Sequence, residues 1–126
     1  MKLNPTGPAP GEAALCTITA CGPGFVLVNG VRHESSIIVM PERIVAWPAA
    51  SFEALALADF ELLAALGADI VLLGTGARLR FPRPELTRPL VEARIGIEVM
   101  DFRAACRTYN FLMAESRKVA AALLLQ

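Results

Sequence analysis

The chain has 126 residues, a formal net charge of zero, and 55% hydrophobic against 19% charged residues. That length supports a single domain whose core needs no metal or disulfide to close, and a neutral balance without aromatics interleaved among bases argues against a nucleic-acid partner. So apolar a composition leaves little hydrophilic surface to spare, which points to a homo-oligomer or to a docking surface for a protein partner.

Residues 1–14 carry Pro5, Pro8 and Pro10 with two glycines and read as a disordered tail, leaving 15–126 as a single α/β domain. The start lacks the apolar stretch of a signal peptide, and the longest uninterrupted apolar run, 119–125, is far short of a membrane span. The expectation is a cytoplasmic protein with no direct membrane insertion. Two β-like runs, 16–20 and 25–28, flank Gly22-Pro23-Gly24. Asn29-Gly30 turns the chain again before 36–40 and 43–47, so the front should be one antiparallel meander that ends at Pro48.

Helix formers fill 51–66, with Asp59 placed to cap a helix over 59–66 that stops at Gly67. In the β-like run 69–73, Ile70, Val71, Leu72 and Leu73 are all apolar, which predicts a strand buried on both faces. Gly74-Thr75-Gly76 then bends the chain into 77–81, where alternation places Leu79 and Phe81 on one side of a strand and Arg78 and Arg80 on the other. Pro84 opens a helix to about Arg94, and Gly96 leads into a strand over 97–100. Asp101 caps a helix with an apolar stripe at Phe102, Ala105, Cys106, Tyr109, Leu112 and Met113 and a polar stripe at Arg103, Arg107 and Asn110. The apolar run 119–125 closes the chain as a buried strand or, alternatively, a helical end. The order strand, helix, strand, helix, strand in the second half predicts parallel crossovers, so the fold class is α/β, a mixed sheet with parallel C-terminal strands behind an antiparallel β meander.

Charge is unevenly spread: three bases and six acids in 1–63 give −3, and nine bases and six acids in 64–126 give +3. Eight of those nine bases are arginines, whose planar forks suit carboxylates and phosphates. Cys16, Cys21 and Cys106 contain no CxxC pair, so neither a metal nor a disulfide framework is expected, and no cofactor is implied. Gly74-Thr75-Gly76 lacks the third glycine and the following helix of a dinucleotide site. Cys106 lies in the first turns of a helix beside Arg103 and Arg107, a setting that lowers a thiol pKa, but on the apolar stripe it reads as a small buried hydrophobe; His33 falls in a hairpin turn region. Arg103 and Arg107, four apart, repel unless an acid, an anion or a partner offsets them. Asn110 is expected to hydrogen-bond the glycine loop and tie the two regions into one corner.

Taken together, GPGFVLVNG at 22–30, Trp47-Pro48, LLGTGARLRFP at 72–82 and GIEVMDFRAACRTYNFLMAESRKVAAALL at 96–124 resemble a domain-of-unknown-function family. That family includes mitochondrial respiratory complex I assembly factor 3 and small uncharacterised bacterial and archaeal proteins. The resemblance implies a three-layer β plus α/β domain and a role exercised through protein partners. It marks Gly74, Thr75, Gly76, Asp101, Ala105, Cys106, Thr108 and Asn110 as matching positions; after the aspartate the family commonly has threonine, where this chain has Phe102. Two functions are expected from all this. The first is a non-enzymatic binding or assembly protein. The alternative is a small-anion site, for phosphate or carboxylate, binding or enzymatic, built from the amides of 74–77, Arg78 or Arg80, and the helix start at Asp101.

Overall fold

A computed structural model describes residues 14–125, so the tail expected at the front lies, but for its last residue, outside the described residues. Strand β1 (Ile18–Gly22) turns through Pro23-Gly24, with Gly24 at φ 75°, into β2 (Phe25–Val28). Asn29 and Gly30, at φ 49° and 82°, form the left-handed pair that suits a two-residue hairpin, and β3 (Val31–His33) returns alongside β2. This three-residue strand was not foreseen, and it places His33 in a strand rather than a turn. β1, β2 and β3 make a separate antiparallel sheet.

The expected single meander therefore breaks after β3. β4 (Ile37–Val39) and β5 (Ile44–Ala46) pair with each other in a second, five-stranded sheet ordered β5-β4-β8-β6-β7, with β6 (Ile70–Gly74), β7 (Gly96–Met100) and β8 (Val119–Leu123). The physical reason lies in the side chains. Val26 and Val28 of β2 are buried while Phe25 and Leu27 are only half covered, as in a sheet with one covered face; Ile37, Ile38 and Val39 are all buried and need cover on both. β6 runs parallel to both β7 and β8, as the alternating strands and helices predict, and β4 runs antiparallel to β8.

Alternation along the central strands divides the core. Leu72, Val119, Ala121 and Leu123 face helix α3 (Phe102–Ala114) and the small sheet, against Phe102, Ala105, Cys106, Tyr109, Val26 and Val28. Val71, Leu73, Ala120 and Ala122 face α1 (Leu57–Ala64) and α2 (Pro84–Glu92), against Phe60, Leu63, Leu90 and Trp47. Each fully buried Leu or Phe here contributes about 1.5–3 kcal/mol of transfer free energy. The result is three layers, two helices on one side and α3 with the small sheet on the other, which agrees with the expected α/β architecture.

Two local expectations change. α1 begins at Leu57; Asp59 is not its cap but lies three residues past the cap position, where its carboxylate accepts the amide of Ala56 at 2.9 Å. Residues 77–81 form no strand. The Thr75 hydroxyl folds the segment back on itself, giving its proton to the Arg78 carbonyl and taking the Arg80 amide at 3.1 Å, and Pro82, with no amide, stops any ladder beyond it. Leu79 and Phe81, expected to share a strand face, stand 49% and 70% exposed.

Candidate functional site

The end of β6 and the junction between β7 and α3 form one corner. The Thr75 amide donates to the Met100 carbonyl at 2.9 Å, and the Phe102 amide donates to the Gly76 carbonyl at 2.8 Å, so the pairing of β6 with β7 runs on into the helix start. A Cβ on Gly74 would lie 3.0 Å from the Ala105 Cβ, 3.1 Å from the Leu123 Cδ2 and 3.5 Å from the Phe102 Cα. Only a glycine lets the first turn of α3 approach the sheet so closely. Gly76, at φ 93°, holds a conformation that a side chain disfavours. Thr75, with no exposed surface, donates its proton to the Arg78 carbonyl at 2.7 Å, with the Met100 carbonyl a longer acceptor at 3.3 Å. Asp101 caps α3 as expected, its Oδ1 accepting the Ala104 amide at 2.8 Å.

Asn110 does not join this corner. It lies nine residues beyond Asp101 on α3, roughly 13 Å along the axis at 1.5 Å per residue. Its side chain pairs instead with the backbone of β1, Nδ2 donating to the Ile18 carbonyl at 2.7 Å and Oδ1 accepting the Ile18 amide at 2.9 Å. From the residue before it, the Tyr109 hydroxyl donates to the Cys16 carbonyl at 2.7 Å. Asn110 thus mimics a strand partner and fastens the small sheet to α3, so the bond expected to the glycine loop is replaced by one to a different element. Thr108 is half-buried on the same helix.

Cys106 also departs from one expectation. Burial pushes its thiol up, as does the neighbouring thiol of Cys21, and these outweigh the attraction of Arg107 and Arg103. The helix turns Cys106 into the core while both arginines stay exposed, so the lowered pKa of a nucleophile is absent and the small-hydrophobe reading holds. Among the described residues no group of three or more His, Cys, Asp and Glu is placed to hold a metal ion, and no helix is long and apolar enough to cross a membrane.

A cavity of about 420 Å³ opens beside the corner, walled by Pro23, Gly76, Phe102, Arg103, Leu124 and Leu125 with Asp101 at its edge. Its walls are mostly apolar. The amides of Phe102 and Ala104 are already bonded and the Asp101 carboxylate already occupies the helix start, so two donors expected for an anion are spent and a like charge is in place. Of the arginines expected there, Arg78 and Arg80 do not line the cavity. Arg80 points elsewhere: its Nη1 meets the Glu53 Oε2 at 2.7 Å and its guanidinium lies 4.4 Å above the Phe52 ring. Of the Glu53 carboxyl's interactions, its own backbone amide is the strongest and Arg80 the next, and together they hold its pKa low.

That second place is a groove of about 400 Å³ lined by Phe52, Leu55, Arg80, Phe81, Arg83 and Leu86 among others. The sequence marks Arg78 and Arg80 as a cationic face, while the helix formers around Phe52 and the alternation around Phe81 point to a helical segment and a strand. The signal available was Pro82-Arg83-Pro84 directly after Phe81, which forbids a continuing strand and leaves an aromatic ring on a stiff loop.

The model of the family described as protein of unknown function (DUF498/DUF598) matches residues 18–124. The chain is 36% identical over 103 residues to the NADH dehydrogenase (ubiquinone) 1 alpha subcomplex assembly factor 3 of Bos taurus, covering 80% of this chain and 55% of that protein. It therefore spans about half the length of that relative. An uncharacterised protein of Rhodobacter capsulatus is 33% identical over 120 residues, 91% of this chain and 89% of its own. The crystal structure of a Bordetella parapertussis protein superposes with a TM-score of 0.85 at 40% identity, over 90% of this chain and 98% of that one.

Proposed function

The chain belongs to the DUF498/DUF598 family of proteins of unknown function, and from that premise we propose that it is a non-enzymatic binding protein of the assembly type. It works in the cytoplasm by holding a protein partner during the building of a respiratory or other membrane complex. The name carried by its bovine relative supports this reading. The observation that carries it is the exposed aromatic groove: Phe81 stands 70% exposed beside Arg83, which makes no ion pair with any described residue, an arrangement that serves contact and has no use in the chain's own core. The corner at Gly74, Thr75, Gly76 and Asp101, by contrast, is spent on backbone bonds within the chain. Affinity capture of the tagged protein from its native host, with quantitative mass spectrometry, tests the reading. Subunits of a membrane complex should be enriched; a monomer that retains nothing above background would contradict it.

A second reading, a site for a small phosphate or carboxylate, keeps one observation, the cavity with Arg103 on its wall. A thermal-shift screen of phosphates, nucleotides and carboxylic acids separates the two. A ligand held in that cavity raises the melting temperature of the wild type in proportion to its saturation and loses that effect in Arg103→Ala.

A further inference from the structure

Phe52, Leu55, Phe81 and Leu86 give the groove apolar walls, and Arg80 and Arg83 give it a cationic rim with Glu53 the one carboxylate among its lining residues. Glu53 is already paired with Arg80, while Arg83 and Arg78, both exposed, make no ion pair with any described residue. Arg78 is close enough to help hold the Glu53 pKa low, so the three arginines share one side of the molecule. Pro82 and Pro84 fix the backbone on either side of Arg83, which cuts the ordering cost of any contact made here.

We infer that this groove receives an acidic, amphipathic segment of a partner protein, seating an apolar side chain against Phe52 and Phe81 and setting carboxylates on Arg83 and Arg78. The inference rests on the protein-binding reading above and gives it a place and a chemistry. Charge complementarity selects the occupant: an apolar pocket with surplus guanidinium at its rim attracts carboxylates that flank a hydrophobic anchor. A groove of about 400 Å³ seats a few side chains, whereas a stable dimer of two copies needs roughly 800 Å² buried on each partner. Its concavity also suits a side chain better than a flat bilayer.

The test uses the full chain and a labelled synthetic peptide with a central phenylalanine flanked by alternating glutamate and leucine. Two control peptides replace every glutamate by glutamine or every apolar residue by alanine. Anisotropy should show saturable binding that weakens with salt, and both controls, Phe81→Ser and Arg83→Glu should each weaken it by roughly tenfold or more. Amide NMR shifts should gather at 52–55 and 78–86, while circular dichroism shows both variants folded, their altered side chains being exposed. Equal binding of the glutamine peptide, shifts centred elsewhere, or no saturation at millimolar peptide would overturn the inference. So would sedimentation showing that Phe81→Ser dissolves a dimer, or binding of the chain to phosphatidylglycerol vesicles in place of the peptide. If native capture recovers a partner that Phe81→Ser and Arg83→Glu still retain, the groove assignment fails and the protein-binding reading stands.

Discussion

Thr75 and Phe81 have opposite fates within six residues of chain. The Thr75 hydroxyl serves the Arg78 carbonyl and the Arg80 amide from a site with no solvent access, so Thr75→Val leaves both without their partner and should cost about 1–3 kcal/mol. Gly76→Ala, at φ 93°, should cost about 1–2 kcal/mol by backbone strain. Phe81→Ser, on an exposed ring, should stay within about 0.5 kcal/mol. Urea unfolding of the three variants measures this order; a Thr75→Val protein as stable as the wild type would remove the corner's structural role. Asp101 was legible from the sequence because an N-cap is a local device, decided within three residues. Asn110 was not, because its partner Ile18 lies 92 residues away and nothing in either neighbourhood records the contact.

At the scale of elements, β6 and β8 announced themselves by unbroken apolar composition, and the structure places them at the centre of the sheet with both faces covered. Their amides should exchange with solvent more slowly than those of β3 and β5, which are short and partly exposed, as hydrogen exchange followed by mass spectrometry would show. The segment 77–81 misled because alternation is a strand signal only where the backbone is free to pair, and here the Thr75 hydroxyl ties up the Arg78 carbonyl and the Arg80 amide while Pro82 and Pro84 stop any ladder beyond. α3 carries a pH consequence. Burial is the largest cause raising the Cys106 thiol and the Tyr109 hydroxyl, and both favour the neutral form in the folded state. Above the ordinary thiol range the unfolded chain releases protons that the folded chain retains, so stability is fully present near neutrality and falls as pH rises. Thermal unfolding from neutral pH to about pH 10 in reductant should show that decline, and Cys106→Ala should make it shallower.

Over the whole molecule, the surplus of three positive charges in 64–126 becomes surface that means something only once folded. Arg80, Arg83 and Arg78 come together at the loop before α2, across from Glu53, while Arg103 and Arg107 lie on α3 on the other side of the large sheet. The sequence places a cationic face beside the glycine turn; the fold keeps the backbone of Arg78 and Arg80 bonded to Thr75 but sends the Arg80 side chain to Glu53 and Phe52, leaving the turn as a structural corner and Arg80 with Arg83 as the rim of an aromatic groove. The three-layer architecture was legible from the order of elements together with the motifs. The split of the front strands between two sheets was not, since it depends on which side chains find cover on both faces.

Cells lacking this chain, complemented with the wild type, Phe81→Ser or Arg103→Ala and examined by native electrophoresis of their membranes, give the most direct test that it acts through protein contact at the groove. The account predicts incomplete respiratory assemblies without the chain, full assembly with the wild type and with Arg103→Ala, and the defect again with Phe81→Ser. Full assembly in the deletion strain, or rescue by Phe81→Ser with failure of Arg103→Ala, would contradict it.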